Sequence, residues 1–123
     1  MFFPSCLAVL IQNMETKLDF FLRTVISTKA DPGAIGPYSQ AFKINGIIYT
    51  SGQIPVNPEN GKVPEGIEVQ TEQSCKNVGE ILKAAGSGFE GVFKTNCFLA
   101  DMNDFAAFNQ VYSRYFVPKQ QSP

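Results

Sequence analysis

Thr50-Ser51-Gly52-Gln53 sets small polar groups in a row directly after Ile47-Ile48-Tyr49 and just ahead of Pro55 and Pro58. Ser51 brings a hydroxyl that donates and accepts, Gly52 lets a ligand approach backbone N–H groups, and Gln53 carries a donor and an acceptor. Such a set suits a small polar molecule held at the mouth of a strand. The same residues also suit a plain turn ahead of Pro55, and both readings stand on the sequence. A second candidate is the loop GAIGPYSQ (33–40), whose glycines and Pro37 fix an unusual course and present the Tyr38 phenol. That ring serves equally well as a lid over apolar side chains. The third is Asn109, beside the apolar stripe of a helix, where a buried-side amide must be hydrogen-bonded to protein or to ligand.

The chemistry open to these groups is narrowed by what the chain lacks. It contains no histidine, which excludes Ser-His-Asp and Cys-His catalysis within this polypeptide, histidine-ligated zinc and the zinc deaminases. The cysteines, Cys6, Cys75 and Cys97, form no C-x-x-C pair and are odd in number. They read as reduced thiols of a cytoplasmic protein, with Cys97 a small core residue and no metal site. No general base stands out, because Glu65, Glu68, Glu72, Glu80 and Glu90 fall in loops or on a polar helix face. Ten basic and eleven acidic side chains in 123 residues give a formal net charge of −1. No basic stripe is present to neutralise phosphates, so nucleic acid is not an expected partner. The run CLAVLI (6–11) is too short to span a membrane and lacks a basic flank. Glu15 and Asp19 argue against a mitochondrial presequence, and residues 1–22 read as an N-terminal extension, a leader ahead of a domain over 23–123.

Several elements must position the candidate groups. RTVIST (23–28) reads as a short strand, followed by a loop set by Pro32, Gly33, Gly36 and Pro37. AFKI (41–44) and IIYTSG (47–52) flank Asn45-Gly46, a hairpin signal because both residues tolerate positive φ. PVNPENGKVPEG (55–66) is a polar loop. Cys75, Val78, Ile81, Leu82 and Ala85 recur at helical steps, with Glu72, Gln73, Lys76, Asn77, Glu80 and Lys83 directed elsewhere and Gly86 as the C-terminal stop. GVFKTNCFLA (91–100) alternates as a strand buried on at least one face. Asn103 or Asp101 caps a second helix whose stripe is Phe105, Phe108, Val111 (or its neighbour Tyr112), Tyr115 and Phe116. Helices laid on one face of a sheet give an α+β layer, and the residues alone lead no further than a small-ligand-binding domain of that class.

Taken together, ISTKADPGAIGPYSQAFKINGIIYTSGQIPVNPENGKVPEG, QTEQSCKNVGEILKAAG and VFKTNCFLADMNDFAAFNQVYSRYF resemble the Rid family, also called YjgF-type or reactive intermediate/imine deaminases. The resemblance runs from Val25 to Phe116, and GPYSQA, TSGQIPV and DFAAFNQVY together carry it. It implies a chorismate-mutase-like α+β fold with a mixed sheet and two helices on one face. It also implies a homotrimer with clefts between subunits, no cofactor, and hydrolysis of small 2-imino or enamine acids such as 2-iminobutanoate to 2-keto acids and ammonia. By the same resemblance Tyr38 lies over the substrate, Ser51 and Gly52 line its carboxylate side, and Asn109 supports the cleft.

The family pattern continues with a Pro-Ala-Arg-Ser motif, a cysteine two residues beyond its arginine, and a glutamate that orients water. After Phe116 this sequence reads VPKQQSP, and Lys119 is a poor replacement for a bidentate arginine. The expectation is a domain truncated after the second helix, without the last two strands. Two functional readings stay open: a deaminase by lineage, active or inactive without that arginine and glutamate, or a non-catalytic small-metabolite-binding or regulatory module.

Overall fold

The computed structural model describes residues 24–30 and 39–116 in full and the backbone alone of residues 5–7. Five strands and two helices follow in the order β1 (Ser5–Leu7), β2 (Thr24–Ile26), β3 (Ala41–Ile44), β4 (Ile47–Thr50), α1 (Ile67–Ala84), β5 (Asn96–Phe98) and α2 (Phe105–Phe116), with 3-10 turns at Phe89–Gly91 and Met102–Asp104. The fold is α+β. β2, β3 and β4 form one antiparallel meander, and β1 pairs antiparallel with β5. The resemblance implied a mixed sheet; every ladder between the described strands is antiparallel.

The hairpin turn forms where Asn-Gly required it. Asn45 has φ 52° and Gly46 φ 73°, the paired positive values that match the twist of the flanking strands. Register then sorts the sheet into two faces. Ile26, Ala41 and Thr50 lie in one row and are 7, 1 and 6% exposed. The next row, Val25, Phe42 and Tyr49, points the other way, with Val25 56% and Tyr49 42% exposed.

The buried face of the sheet meets α1. Ile26, Ala41 and Ile48 pack with Val78, Ile81 and Leu82, and Tyr112 and Phe116 of α2 close over them. Burying each large aliphatic side chain contributes roughly 1.5–3 kcal/mol. α1 ends as Gly86 allowed: with φ 79° there, Ser87 N–H donates to Leu82 O at 2.9 Å and Gly86 N–H to Lys83 O at 3.0 Å, a Schellman stop. At its other end the helix begins at Ile67, earlier than the apolar steps from Cys75 reveal. Asp101 accepts from Asn103 N–H at 2.9 Å ahead of α2, as one of the two expected caps.

Three expectations are corrected. The strand read over 91–100 pairs regularly only at 96–98, opposite the three residues of β1, and Phe93 and Phe98 are 46 and 56% exposed. Phe105 stands at the start of α2 and is 50% exposed; Phe108 and Val111 carry the buried stripe. Asn77, read as directed outward, is 1% exposed. Among the described residues no helix is long and apolar enough to cross a membrane.

Candidate functional site

Three backbone segments meet at the end of β4, and one buried side chain ties two of them. Gln40 is 5% exposed, and its carboxamide acts as a surrogate peptide: Oε1 accepts from Thr28 N–H at 2.6 Å and Nε2 donates to Thr28 O at 3.1 Å. Its own carbonyl accepts from Ser51 N–H at 2.8 Å. The Ser51 hydroxyl donates to Ser39 O, so Ser51 is held through both main chain and side chain. Both Ser51 and Gly52 remain half-buried, which leaves them reachable from solvent.

Beyond Gly52 the loop is pinned from the helix. Val56 N–H donates to Ile54 O at 2.8 Å, closing a three-residue turn around the fully buried Pro55. Asn77 of α1 then gives one amide hydrogen to Ile54 O (3.1 Å) and one to Val56 O (3.0 Å). Its Oδ1 accepts from Gln73 Nε2 at 2.8 Å, and the two loop carbonyls, which can only accept, settle which end of the amide faces them. A buried amide so placed has no unpaired group.

The sequence candidates fare differently. Ser51 and Gly52 stand half-buried directly after β4. Gln53 is 6% exposed and its Nε2 donates to Ser51 O at 3.2 Å, so its amide braces the loop from within and is not offered outward. Asn109, read as a buried-side amide, lies on the exposed side of α2, because Phe108 and Val111 take the inward positions. No hydrogen bond joins Asn109 to Ser51 or Gly52 among the described residues. Tyr38 lies outside the described residues. Gln40 and Asn77 were missed as site-building residues; each serves loop backbone that lacks ladder partners and needs side-chain hydrogen bonds.

A groove of about 620 Å³ opens elsewhere, along the polar flank of α1. Lys29, Glu59, Gln73, Lys76, Asn77 and Glu80 line it, and neither Ser51 nor Gly52 does. Its charges are balanced and solvated, with Lys76 3.8 Å from Glu72 on the same helix. Among the described residues no three cysteine, aspartate or glutamate side chains gather as a metal site. Burial first, then the bond it donates to Glu72 Oε1 at 3.1 Å, push the Tyr115 hydroxyl up to about 12.

The meander, the two helices and the pinned corner at Ser51 define the class: a small α+β domain with a polar mouth at a strand end. The family model described as Endoribonuclease L-PSP matches residues 28–123. The chain belongs to this family, the Rid proteins. It is 52% identical over 96 residues to the 2-iminobutanoate/2-iminopropanoate deaminase of Mus musculus, covering 77% of this chain and 71% of that one. It is 50% identical over 95 residues to the chloroplastic Reactive Intermediate Deaminase A of Arabidopsis thaliana, 76% of this chain and 51% of that one. Among solved structures, the Rid protein YyfA of Yersinia pestis superposes with TM-score 0.78 at 43% identity, over 82% of this chain and 81% of that one. TdcF of E. coli, solved with bound serine, gives TM-score 0.72 at 42% identity, over 74 and 72%.

Proposed function

We propose that the Ser51–Gly52 mouth takes small 2-imino acids, and that the reaction it serves is their hydrolytic deamination to 2-keto acids and ammonia. The observation that carries this reading is a half-exposed hydroxyl and glycine backbone held from both sides, in a chain about half identical to imine deaminases. Water adds to the imine carbon, the C–N bond of the tetrahedral adduct breaks, and ammonia leaves. Fixed dipoles at the mouth orient the carboxylate and spare the reaction the reorganisation of free water. Tyr38, adjacent in sequence to Ser39, and Asn109, exposed on α2, complete the cleft with a neighbouring subunit. Val25 and Tyr49, exposed on the outer face of the meander, support assembly as a homotrimer, for which sedimentation would return about three times 13.5 kDa. A cytoplasmic location goes with this role.

The test supplies 2-iminobutanoate generated in situ from an amino acid by a dehydratase. Release of 2-ketobutyrate faster than the spontaneous rate supports turnover, and release at the spontaneous rate removes it.

One observation favours a second reading, binding without turnover. The arginines of this sequence are Arg23 and Arg114, and Arg114 lies exposed on α2. A carboxylate is gripped best by a planar, bidentate guanidinium. Saturable binding of 2-ketobutyrate by a protein that does not accelerate hydrolysis would select this reading. Despite the family model's description, a net charge of −1 without a basic stripe lends no support to binding an RNA backbone.

A further inference from the structure

We infer that Asn77 is a positioning residue for the Ser51–Gly52 mouth, acting from α1 through the backbone of the loop and not by touching the ligand. The inference rests on reading that mouth as the binding site. Its basis is where the loop is anchored. Upstream, Ser51 is fixed by Gln40 O at 2.8 Å and by Ser39 O. Downstream, Ile54 and Val56 are fixed by the two hydrogens of one amide, at 3.1 and 3.0 Å. Gly52 and Gln53 span the interval between these anchors. Gly52 has the widest conformational freedom of any residue, so the positions of the groups at the mouth depend on both ends being held.

Packing alone does not call for this side chain. Asn77 is 1% exposed at the edge of the buried arc of α1, next to Ile81 and Ser74, where an aliphatic residue would fill the space without a desolvation cost. An aliphatic residue would leave the carbonyls of Ile54 and Val56 without these donors. Both amide hydrogens are spent on the loop and none on the helix. Gln73, one turn earlier and half-exposed, steadies the amide through its 2.8 Å bond to Oδ1. The pair therefore transmits the position of the rigid helix to a loop rich in proline and glycine.

The experiment compares the unaltered full chain with Asn77→Asp and Gln73→Leu by hydrogen exchange and by 2-ketobutyrate binding. Asn77→Asp keeps the shape but replaces the two donors with an acceptor; Gln73→Leu removes only the bond that steadies the amide. Losing two backbone-directed hydrogen bonds corresponds to about tenfold or more in the local opening equilibrium. Exchange across 51–56 is expected to rise by about that factor relative to the β3–β4 hairpin and the centre of α1, with ligand affinity falling in parallel. Gln73→Leu is expected to give a smaller change of the same kind, and it carries the test if Asn77→Asp does not fold. Exchange that rises equally in loop and core, or affinity unchanged while the loop opens, overturns the inference. Failure of the unaltered protein to bind 2-ketobutyrate removes the reading of the mouth instead, and the exchange contrast still decides whether Asn77 holds the loop.

Discussion

Replacing Gly79 by alanine sets two opposed effects against each other at the junction of the helices. An alanine Cβ at that position would lie 2.8 Å from Cζ and 2.9 Å from Cε2 of Phe89. Carbon atoms rest about 3.5–4.0 Å apart, so the ring would have to retreat by ~0.6 Å or more. Phe89 packs against Tyr115 and Phe116, with ring centroids 5.4 and 5.1 Å away, and the Phe116 ring meets it edge-on. The retreat therefore disturbs the aromatic cluster that joins α2 to α1. Alanine in mid-helix is favoured over glycine by about 1 kcal/mol, while overpacking costs roughly 1–3 kcal/mol. The second effect prevails because the ring is packed with two others, for a net loss of about 1 kcal/mol. Urea unfolding followed by far-ultraviolet circular dichroism measures it, with Phe89→Leu as the background in which the crowding is relieved. In that background Gly79→Ala should be neutral or stabilising. A higher urea midpoint for Gly79→Ala alone would refute the reasoning, since it would mean that Phe89 swings aside without cost.

Gly46→Ala forces a side chain into the left-handed region at φ 73° and should lower stability by roughly 1–2 kcal/mol, read as a reduced urea midpoint with unchanged slope. Asn45→Gly, at a position that already favours positive φ, should change the midpoint little. Tyr115 ionises at about 12 in the folded chain against about 10 when unfolded, so its contribution is complete below pH 10 and disappears as pH rises through about 12. Tyr115→Phe should flatten that part of the stability–pH profile, and a profile left unchanged would contradict the assignment. Ser51→Ala removes the bond to Ser39 O and should cost about 1 kcal/mol while weakening 2-ketobutyrate binding, measurable by calorimetry.

How far the sequence foretold this structure depends on which physical rule governed each residue. Asn45-Gly46 was legible because few residue pairs accept positive φ twice, and Gly86 because a helix stop needs the same freedom. The period of Val78, Ile81 and Leu82 marked the buried face of α1 for a similar reason: apolar area has only one favourable place to go. Asn77 escaped because a polar helical residue is assigned outward by default, and only the loop's need for donors reverses that. Its place three residues after Ser74 and four before Ile81 was the available clue. Ser51 and Gly52 are candidates by their types, but the Gln40 carbonyl that holds Ser51 and the Thr28 backbone that holds Gln40 are set by tertiary pairing between segments with no local signature. The exposure of Phe105 and Phe98 was likewise invisible to a pattern that counts apolar positions without knowing where a partner strand ends.

The central claim is that a small keto or imino acid is received at the corner built by Ser51 and Gly52. Titration of the isotopically labelled protein with 2-ketobutyrate, followed by amide chemical shifts, tests it most directly. Saturable shifts centred on Ser51, Gly52 and Gln53, with little response along the Lys29–Lys76 groove, are the expected result. Shifts confined to that groove, or none at the Ser51 corner at millimolar ligand, would contradict it.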